Sequence, residues 1–297
     1  MEYDPTFIKE EIRCDFLVTE TRKKIWYIEI EMLKKFDEVC KKHNLTYFAD
    51  YGTLLGAVRH QGFVPWDDDI DITMRRDDYA KFQEIARIEF KDPYYYQDSY
   101  NSQQIWALSK IRDSRTTAIE FPDYGPAFNQ GIFLDIYPLD DISDGEPTMD
   151  PVFAIKRELW LTIVQPQDIL NCLSNGGKFT LSPDILMDLL KLPIRERFQQ
   201  FEAFNLSHFG STKFMDYVTR PICYPQIQRR EREWYSDTIY VPFEYITVPI
   251  PIGYDKLLHC LYGDYHKYCP GGSDHMNIFL DPDTPYQYYI EHPEKMH

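Results

Sequence analysis

The sequence predicts an α+β fold, a mixed β-sheet core flanked by helices with an additional mainly helical region, and three observations predict it. Helical and extended patterns alternate through the first 145 residues. Helical spacing takes over after about Asp144, and extended segments return from Thr238. With 297 residues, 43% hydrophobic and 27% charged, the chain can bury a sizeable core without disulfides. We read it as a single unit: a catalytic-type core over about 20–145, a mainly helical region over about 146–235, and a strand, helix and tail over about 236–297.

From Thr21 to His43, Ile25, Ile28, Met32, Leu33, Phe36 and Val39 recur at helical spacing with Lys and Glu between them. A short strand is expected at Thr46–Asp50, a helical piece from Thr53 to Arg59, a turn through Gly62 and Pro65, and a strand at Asp69–Met74. Asp77–Phe90 reads as a second amphipathic helix. Extended segments follow at Tyr94–Gln97, Ile105–Ile111, Thr116–Phe121 and Gly131–Tyr137. Pro151–Asn171 and Ser182–Phe209 read as helical, interrupted by Gly176-Gly177 and Pro193. Thr238–Ile252 is extended, and its prolines at 242, 249 and 251 suggest an edge position. Tyr254–Leu261 is a last short helix, with an irregular tail beyond Pro270.

Charge narrows the partners. Lys plus Arg total 32 against 48 Asp plus Glu, a net charge of −16. That counts against a nucleic-acid polymer as main partner, because such affinity is built from clustered Lys and Arg. A small phosphorylated ligand is compatible, since a local site and a cation can hold it. The first thirty residues are acidic throughout with no apolar h-region, and no stretch approaches the roughly 18 apolar residues of a membrane span. The six cysteines form no CxxC pair. The expectation is a cytoplasmic protein, at most peripheral to the inner face of the membrane, with no transmembrane segment.

The chemistry is concentrated in YFADYGTLLGAVRHQGFVPWDDDIDI, Tyr47 to Ile72. On a strand, Asp69 and Asp71 share one face while Ile70 and Ile72 face a core, and Asp67 has the same parity. Carboxylates at i and i+2, roughly 6–7 Å apart, suit a hard divalent cation. Without one, such close like charges repel. Upstream, Gly52 and Thr53 open a short helix, where free N–H groups and a hydroxyl suit phosphate. Strand, Gly-Thr turn, helix and Asp-x-Asp strand is the layout of a metal-dependent nucleotidyltransferase core.

The block GTLLGAVRHQGFVPWDDDIDI resembles the signature of the LicD family, to which fukutin and fukutin-related protein also belong. Gly131–Asp140, GIFLDIYPLD, resembles the family's second block, and Tyr262-Gly-Asp-Tyr265 its C-terminal one. The resemblance implies a nucleotidyltransferase-type fold. It also implies transfer of a phosphorylated alcohol from a CDP-linked donor, CDP-choline or a CDP-alditol, to a hydroxyl of a glycan or glycolipid. Asp69, Asp71 and Asp135 would then be catalytic and, with Asp67, would hold Mg²⁺ or Mn²⁺. Asp135 would also orient or deprotonate the acceptor hydroxyl. Lys110 and Arg112, on one face of an expected strand, would join Gly52, Thr53 and Arg59 in binding the donor phosphates. Two alternatives use the same sequence: attachment of a nucleoside monophosphate to a small hydroxylated substrate, or a non-catalytic glycan-binding relative.

Other residues carry weaker signals. His60 could serve as a base but reads more readily as a polar helix end, and Trp66 reads as packing under the acidic loop. Asp264 suits a turn after a helix-ending Gly263. His259, Cys260, His266, Cys269 and His275 match no standard zinc spacing.

Overall fold

The computed structural model describes residues 2–146, 149–223, 228–268 and 277–296. The chain opens with a hairpin, β1 (Glu11–Arg13) and β2 (Phe16–Val18), followed by helix α1 (Glu20–Lys42). Then come β3 (Phe48–Ala49), α2 (Tyr51–His60), β4 (Ile70–Arg75), α3 (Arg76–Glu89), β5 (Tyr94–Gln97), β6 (Ser109–Asp113), β7 (Thr117–Ile119) and the long β8 (Ile132–Asp141). Helices α4 (Pro151–Val164), α5 (Pro166–Ser174), α6 (Pro183–Lys191) and α7 (Ile194–Ser207) form the expected helical region. The chain ends with β9 (Phe214–Asp216), α8 (Thr219–Cys223), β10 (Arg230–Glu231), β11 (Thr238–Phe243), β12 (Ile246–Pro251), α9 (Tyr254–Tyr262), β13 (Phe279–Asp281) and α10 (Tyr286–Glu291).

Among the described residues the main sheet has seven strands, and β8 is its spine. Strand β4 pairs with β8 in parallel, β3 joins β4 antiparallel, and β6 then β5 extend from the first half of β8. The second half of β8 takes β9 and β10 instead. Helix α1 is capped by Thr19, which accepts the Arg22 N–H, and its apolar stripe is at most 4% exposed. Trp26 on the same helix stacks on Phe63 with centroids 4.6 Å apart. This sheet and α1 belong to one large apolar core. A second cluster, including Ala107, Ile142, Phe153, Trp160 and Phe201, joins the helical region to the end of β8.

Several boundaries differ from the sequence reading, each for a local reason. The expected helix over 151–171 breaks because Pro166 has no N–H to continue α4 and instead opens α5. Leu192 is extended before Pro193, which separates α6 from α7. The segment from Ile105 becomes strand only at Ser109. Thr238–Ile252 is a hairpin forming its own two-stranded sheet, whose open edges accommodate Pro242, Pro249 and Pro251. No helix among the described residues is long and apolar enough to cross a membrane.

A buried ionic cluster ties the sheet to the helical region. Arg76, the first residue of α3, grips Asp140 of β8 through two 2.6 Å hydrogen bonds and reaches Glu202 of α7 at 3.4 Å. Gln83 and the Tyr100 hydroxyl also donate to Glu202, at 3.1 and 2.7 Å. Arg76 is 1% exposed and Asp140 is fully buried, so removing either leaves a charge without its partner. Arg76→Met is expected to lower unfolding free energy by about 3–5 kcal/mol in urea titrations. The Arg76→Met/Asp140→Leu double variant should regain much of it. Equal losses in single and double variants would show that the pair is not what holds the two parts together.

Candidate active site

Pairing register builds the site. Asp71 of β4 lies opposite Asp135 of β8, and Asp135 lies opposite Lys110 of β6. Asp50, just past β3, donates its N–H to the Asp71 carbonyl at 3.1 Å and so falls in the same row. Residues in one row point to one face of a sheet, so carboxylates from three neighbouring strands stand side by side with a lysine closing the row.

Each member is held by specific contacts. Asp71 receives the Thr53 hydroxyl oxygen on its N–H at 2.9 Å, which locks β4 to the first turn of α2. Lys110 Nζ lies 3.1 Å from Asp135 Oδ1, and the Tyr137 hydroxyl lies 3.4 Å from Oδ2. Asp135 is 6% exposed, and its Oδ1 forms that ion pair off the line of a hydrogen bond. A buried carboxylate oxygen is thereby left with a lone pair to offer. Asp50 caps α2, accepting the Tyr51 N–H at 2.8 Å, and pairs with the fully buried Arg230, which also lies 3.3 Å from Asp216. Burial outweighs this partner for Asp216 and lifts its pKa to about 6. Tyr51 takes φ 42°, a left-handed conformation that a bulky residue seldom adopts, and Arg220 and Arg230 both lie against its ring.

Asp67, Asp68 and Asp69 precede β4 in irregular backbone, and one carboxylate oxygen from each lies within 4.8 Å of the others. The expectation that Asp67 and Asp69 share a strand face with Asp71 is therefore corrected. The strand begins at Ile70, and Asp68, which alternation would turn away, belongs to the cluster. Backbone at this loop is fixed from α1: Arg22 and the Trp26 indole donate to the Asp67 carbonyl at 2.7 and 2.9 Å. Such a group of hard oxygen ligands, within electrostatic reach of Asp71, fits Mg²⁺ or Mn²⁺.

The remaining expected ligands sort differently. At Gly52 a Cβ would lie 2.1 Å from Asp67 Oδ2, so the glycine makes room for that carboxylate, and a phosphate would have to share the space. Thr53 is 3% exposed, with its oxygen on the Asp71 N–H, so it positions the acid. Arg112 is fully buried and donates to Gln97, the Gly131 carbonyl and Glu120 at 2.6, 2.9 and 2.5 Å. That satisfaction corrects its assignment as a phosphate ligand. Arg59, at the far end of α2, donates to His60 and to the Tyr265 carbonyl, at 2.9 and 3.1 Å, which gives it an anchoring contact instead of a phosphate contact. Burial and the neighbouring Arg59 lower the His60 pKa to about 4, so it is a neutral acceptor. Trp66 packs against Phe16 and Tyr268.

Among the described residues, only Asp67, Asp68 and Asp69 form a group able to hold a metal, so His259, Cys260 and His266 make no zinc site. Cys269 and His275 lie outside the described residues. Glu29 was missed by the sequence reading although it is 1% exposed. Its signal was present: position 29 is four residues from both Ile25 and Leu33, on the apolar stripe.

Burial, then Asp69, Asp135 and Asp67, push the Asp71 pKa well above the usual carboxylate value. A carboxyl with a raised folded-state pKa stabilises fully below its unfolded pKa and loses that contribution as pH rises through the folded one. Metal-free protein should therefore lose stability upward from the ordinary Asp range, and Asp71→Asn should lose less. Chemical unfolding across that range checks it: a stability difference between variant and parent that does not grow with pH would contradict the raised pKa.

Comparison with known proteins finds relatives for the arrangement. Residues 44–158 match the LicD/FKTN/FKRP nucleotidyltransferase domain, a span that includes the acidic loop, Lys110 and Asp135. Lipopolysaccharide cholinephosphotransferase LicD of Haemophilus influenzae is 26% identical over 256 residues, covering 81% of this chain and 89% of that protein. An uncharacterized Rickettsia prowazekii protein is 29% identical over 180 residues, 52% of this chain and 66% of that one. An uncharacterized Rickettsia typhi protein is 47% identical over 55 residues, 18% of each chain. The domain match and the long alignment together, with the register of its acids, show that residues 44–158 carry a LicD/FKTN/FKRP-type nucleotidyltransferase domain and that most of the chain is similar to a LicD protein.

Proposed function

We propose that this chain is a LicD-family phosphotransferase that moves a phosphoalcohol, with phosphocholine the first candidate, from a CDP-linked donor to a hydroxyl of a cell-surface glycan or its precursor. One observation carries the reading: Asp71 and Asp135 stand abreast on parallel strands beside the convergent oxygens of Asp67, Asp68 and Asp69. The acceptor and the choline come from the relative named a lipopolysaccharide cholinephosphotransferase. CDP-ribitol and CDP-glycerol are the alternative donors.

Asp69, Asp71 and Asp135, with Asp67, would hold Mg²⁺ or Mn²⁺. When bound, the cation supplies positive charge that offsets the donor diphosphate and the departing CMP. The chain's own part is positioning. Lys110 holds the Asp135 carboxylate in place, and Thr53 fixes the height of Asp71 on its strand. The acceptor oxygen attacks the phosphorus bearing the alcohol in line. A new P–O bond forms as the bond to CMP breaks, CMP leaves with the electron pair, and Asp135 takes the acceptor proton. No covalent enzyme intermediate is required. The centre of the row carries charge of one sign, which suits a site that functions only with a cation present.

Three donors assayed for CMP release, with the acceptor weighed by mass spectrometry, test the reaction. Phosphocholine on the acceptor and free CMP support it, whereas CMP found on the acceptor would replace it with nucleotidyl transfer. Asp71→Asn should fold normally and lose roughly 10²-fold or more of turnover. A variant with parental turnover would refute the site. Gly52→Ala should displace the Asp67 carboxylate without unfolding the chain, weakening Mg²⁺ affinity by about tenfold in calorimetry. Parental affinity there would mean that Asp67 does not touch the ion.

A further inference from the structure

Two loops on the β6 side of the acid row hold an aromatic cluster that the transfer reading leaves unused. Trp106 precedes β6, while Phe121, Tyr124 and Phe128 lie between β7 and β8. Phe121 stacks on Tyr124 with centroids 5.2 Å apart, and Phe128 meets Tyr124 edge-on at 4.9 Å. Trp106 lies 6.2 Å from Phe121 and 6.1 Å from Phe128. Of the four, only Phe128 is buried, and the other three keep part of their rings exposed. Both loops are pinned. The Ser99 hydroxyl donates to the Trp106 carbonyl and accepts its N–H, at 2.5 and 2.8 Å. The Tyr286 hydroxyl of α10 donates to the Pro126 carbonyl at 3.0 Å, and the Gln104 amide donates to the Tyr124 hydroxyl at 2.5 Å. A partly exposed aromatic surface held in this way is a preformed platform.

Its place beside the row says which reactant it meets. Lys110 Nζ lies 3.1 Å from Asp135 Oδ1 and 5.6 Å from the centre of the Trp106 ring. One ammonium group thus separates the platform from the carboxylate assigned the acceptor proton. A quaternary ammonium is a poor occupant, because Lys110 already takes the cation position beside Trp106 and would repel it. A pyrimidine needs free amides to read its edge. The nearest are spent, Gln104 on the Tyr124 hydroxyl and Gln130 on the backbone of Glu120 and Phe121. A pyranose ring matches what is open. Its flat face of C–H groups packs on aromatic rings while its hydroxyls stay at a wet rim. At that rim stand the Trp106 indole N–H, which has no partner among the described residues, and the exposed Asp123 carboxylate between Phe121 and Tyr124. We propose that Trp106, Phe121 and Tyr124 form the platform on which a sugar ring of the acceptor stacks, with its reacting hydroxyl turned toward Asp135. This rests on the transfer reading and names the residues that hold its acceptor.

Two probes separate acceptor from donor: oligosaccharide released from lipopolysaccharide, and CMP with Mg²⁺, each titrated into the full chain by calorimetry. Trp106→Ala should weaken oligosaccharide binding about tenfold and leave CMP binding unchanged, while Trp106→Phe keeps most of the affinity. Asp123→Ala, a change at an exposed side chain, should weaken oligosaccharide binding about threefold, which keeps the test available should Trp106→Ala fold poorly. In turnover the acceptor KM should rise in both variants and the CDP-choline KM should not. Parental oligosaccharide affinity in Trp106→Ala and Asp123→Ala would overturn the proposal, as would a parent that does not bind the oligosaccharide. A loss that falls on CMP instead would overturn it too and give the platform to the donor base. Failure of the transfer reading looks different: oligosaccharide binding that depends on Trp106, with no CMP released from any donor, would refute the transfer and keep the sugar platform.

Discussion

The parallel register of β4 on β8 is the constraint from which the rest follows. Setting Asp71 level with Asp135 places two acids on adjacent strands, and β3 and β6 then add Asp50 and Lys110 to the same line. A slip of one residue would turn these side chains to the other face. The fold resists that slip through the buried alternation of Ile70, Ile72 and Met74 and through the Thr53 clamp on Asp71. Opposite charge is placed at both ends of the line, Arg230 on Asp50 and Lys110 on Asp135, while its centre is left acidic. The folded state therefore carries a local electrostatic cost where a positively charged ligand would relieve it.

Much of this was legible in the sequence because strand alternation and helix spacing are local. The stripe of α1, the inward alternation of Ile70 and Ile72 about Asp71, and Asp135 between Phe133 and Tyr137 all follow from residues a few positions apart. Less legible was anything decided by which strand meets which. Asp50 read as the end of a strand, and nothing near it announced Arg230, 180 residues later. Arg112 shows the opposite failure. Its parity with Lys110 was read correctly, and both cations lie on the Phe133 ring, yet Gln97 and Glu120 absorb the guanidinium. A charge on the right face is available to a ligand only if no protein acceptor reaches it first.

The acidic loop illustrates a subtler limit. Alternation assumes extended backbone, and residues 67–69 are irregular, so three consecutive acids converge where a strand would have dispersed them. Their carbonyl scaffold is pinned by Arg22 and Trp26 from α1. The helix that buries the core thus also shapes the acidic loop, and Glu29 lies on that helix.

The helical region leaves and rejoins the sheet at nearly one point. Asp141, the last residue of β8, pairs with Met215 of β9, accepts the N–H groups of Gly210, Ser211 and Thr212, and gives its carbonyl to Lys156 at 2.7 Å. Departure and return are stitched at a single residue, so the intervening helices hang from the sheet as a closed appendage. Sequence drift within them can proceed while the junction at Asp141 shields Asp135, six residues upstream, from the disturbance.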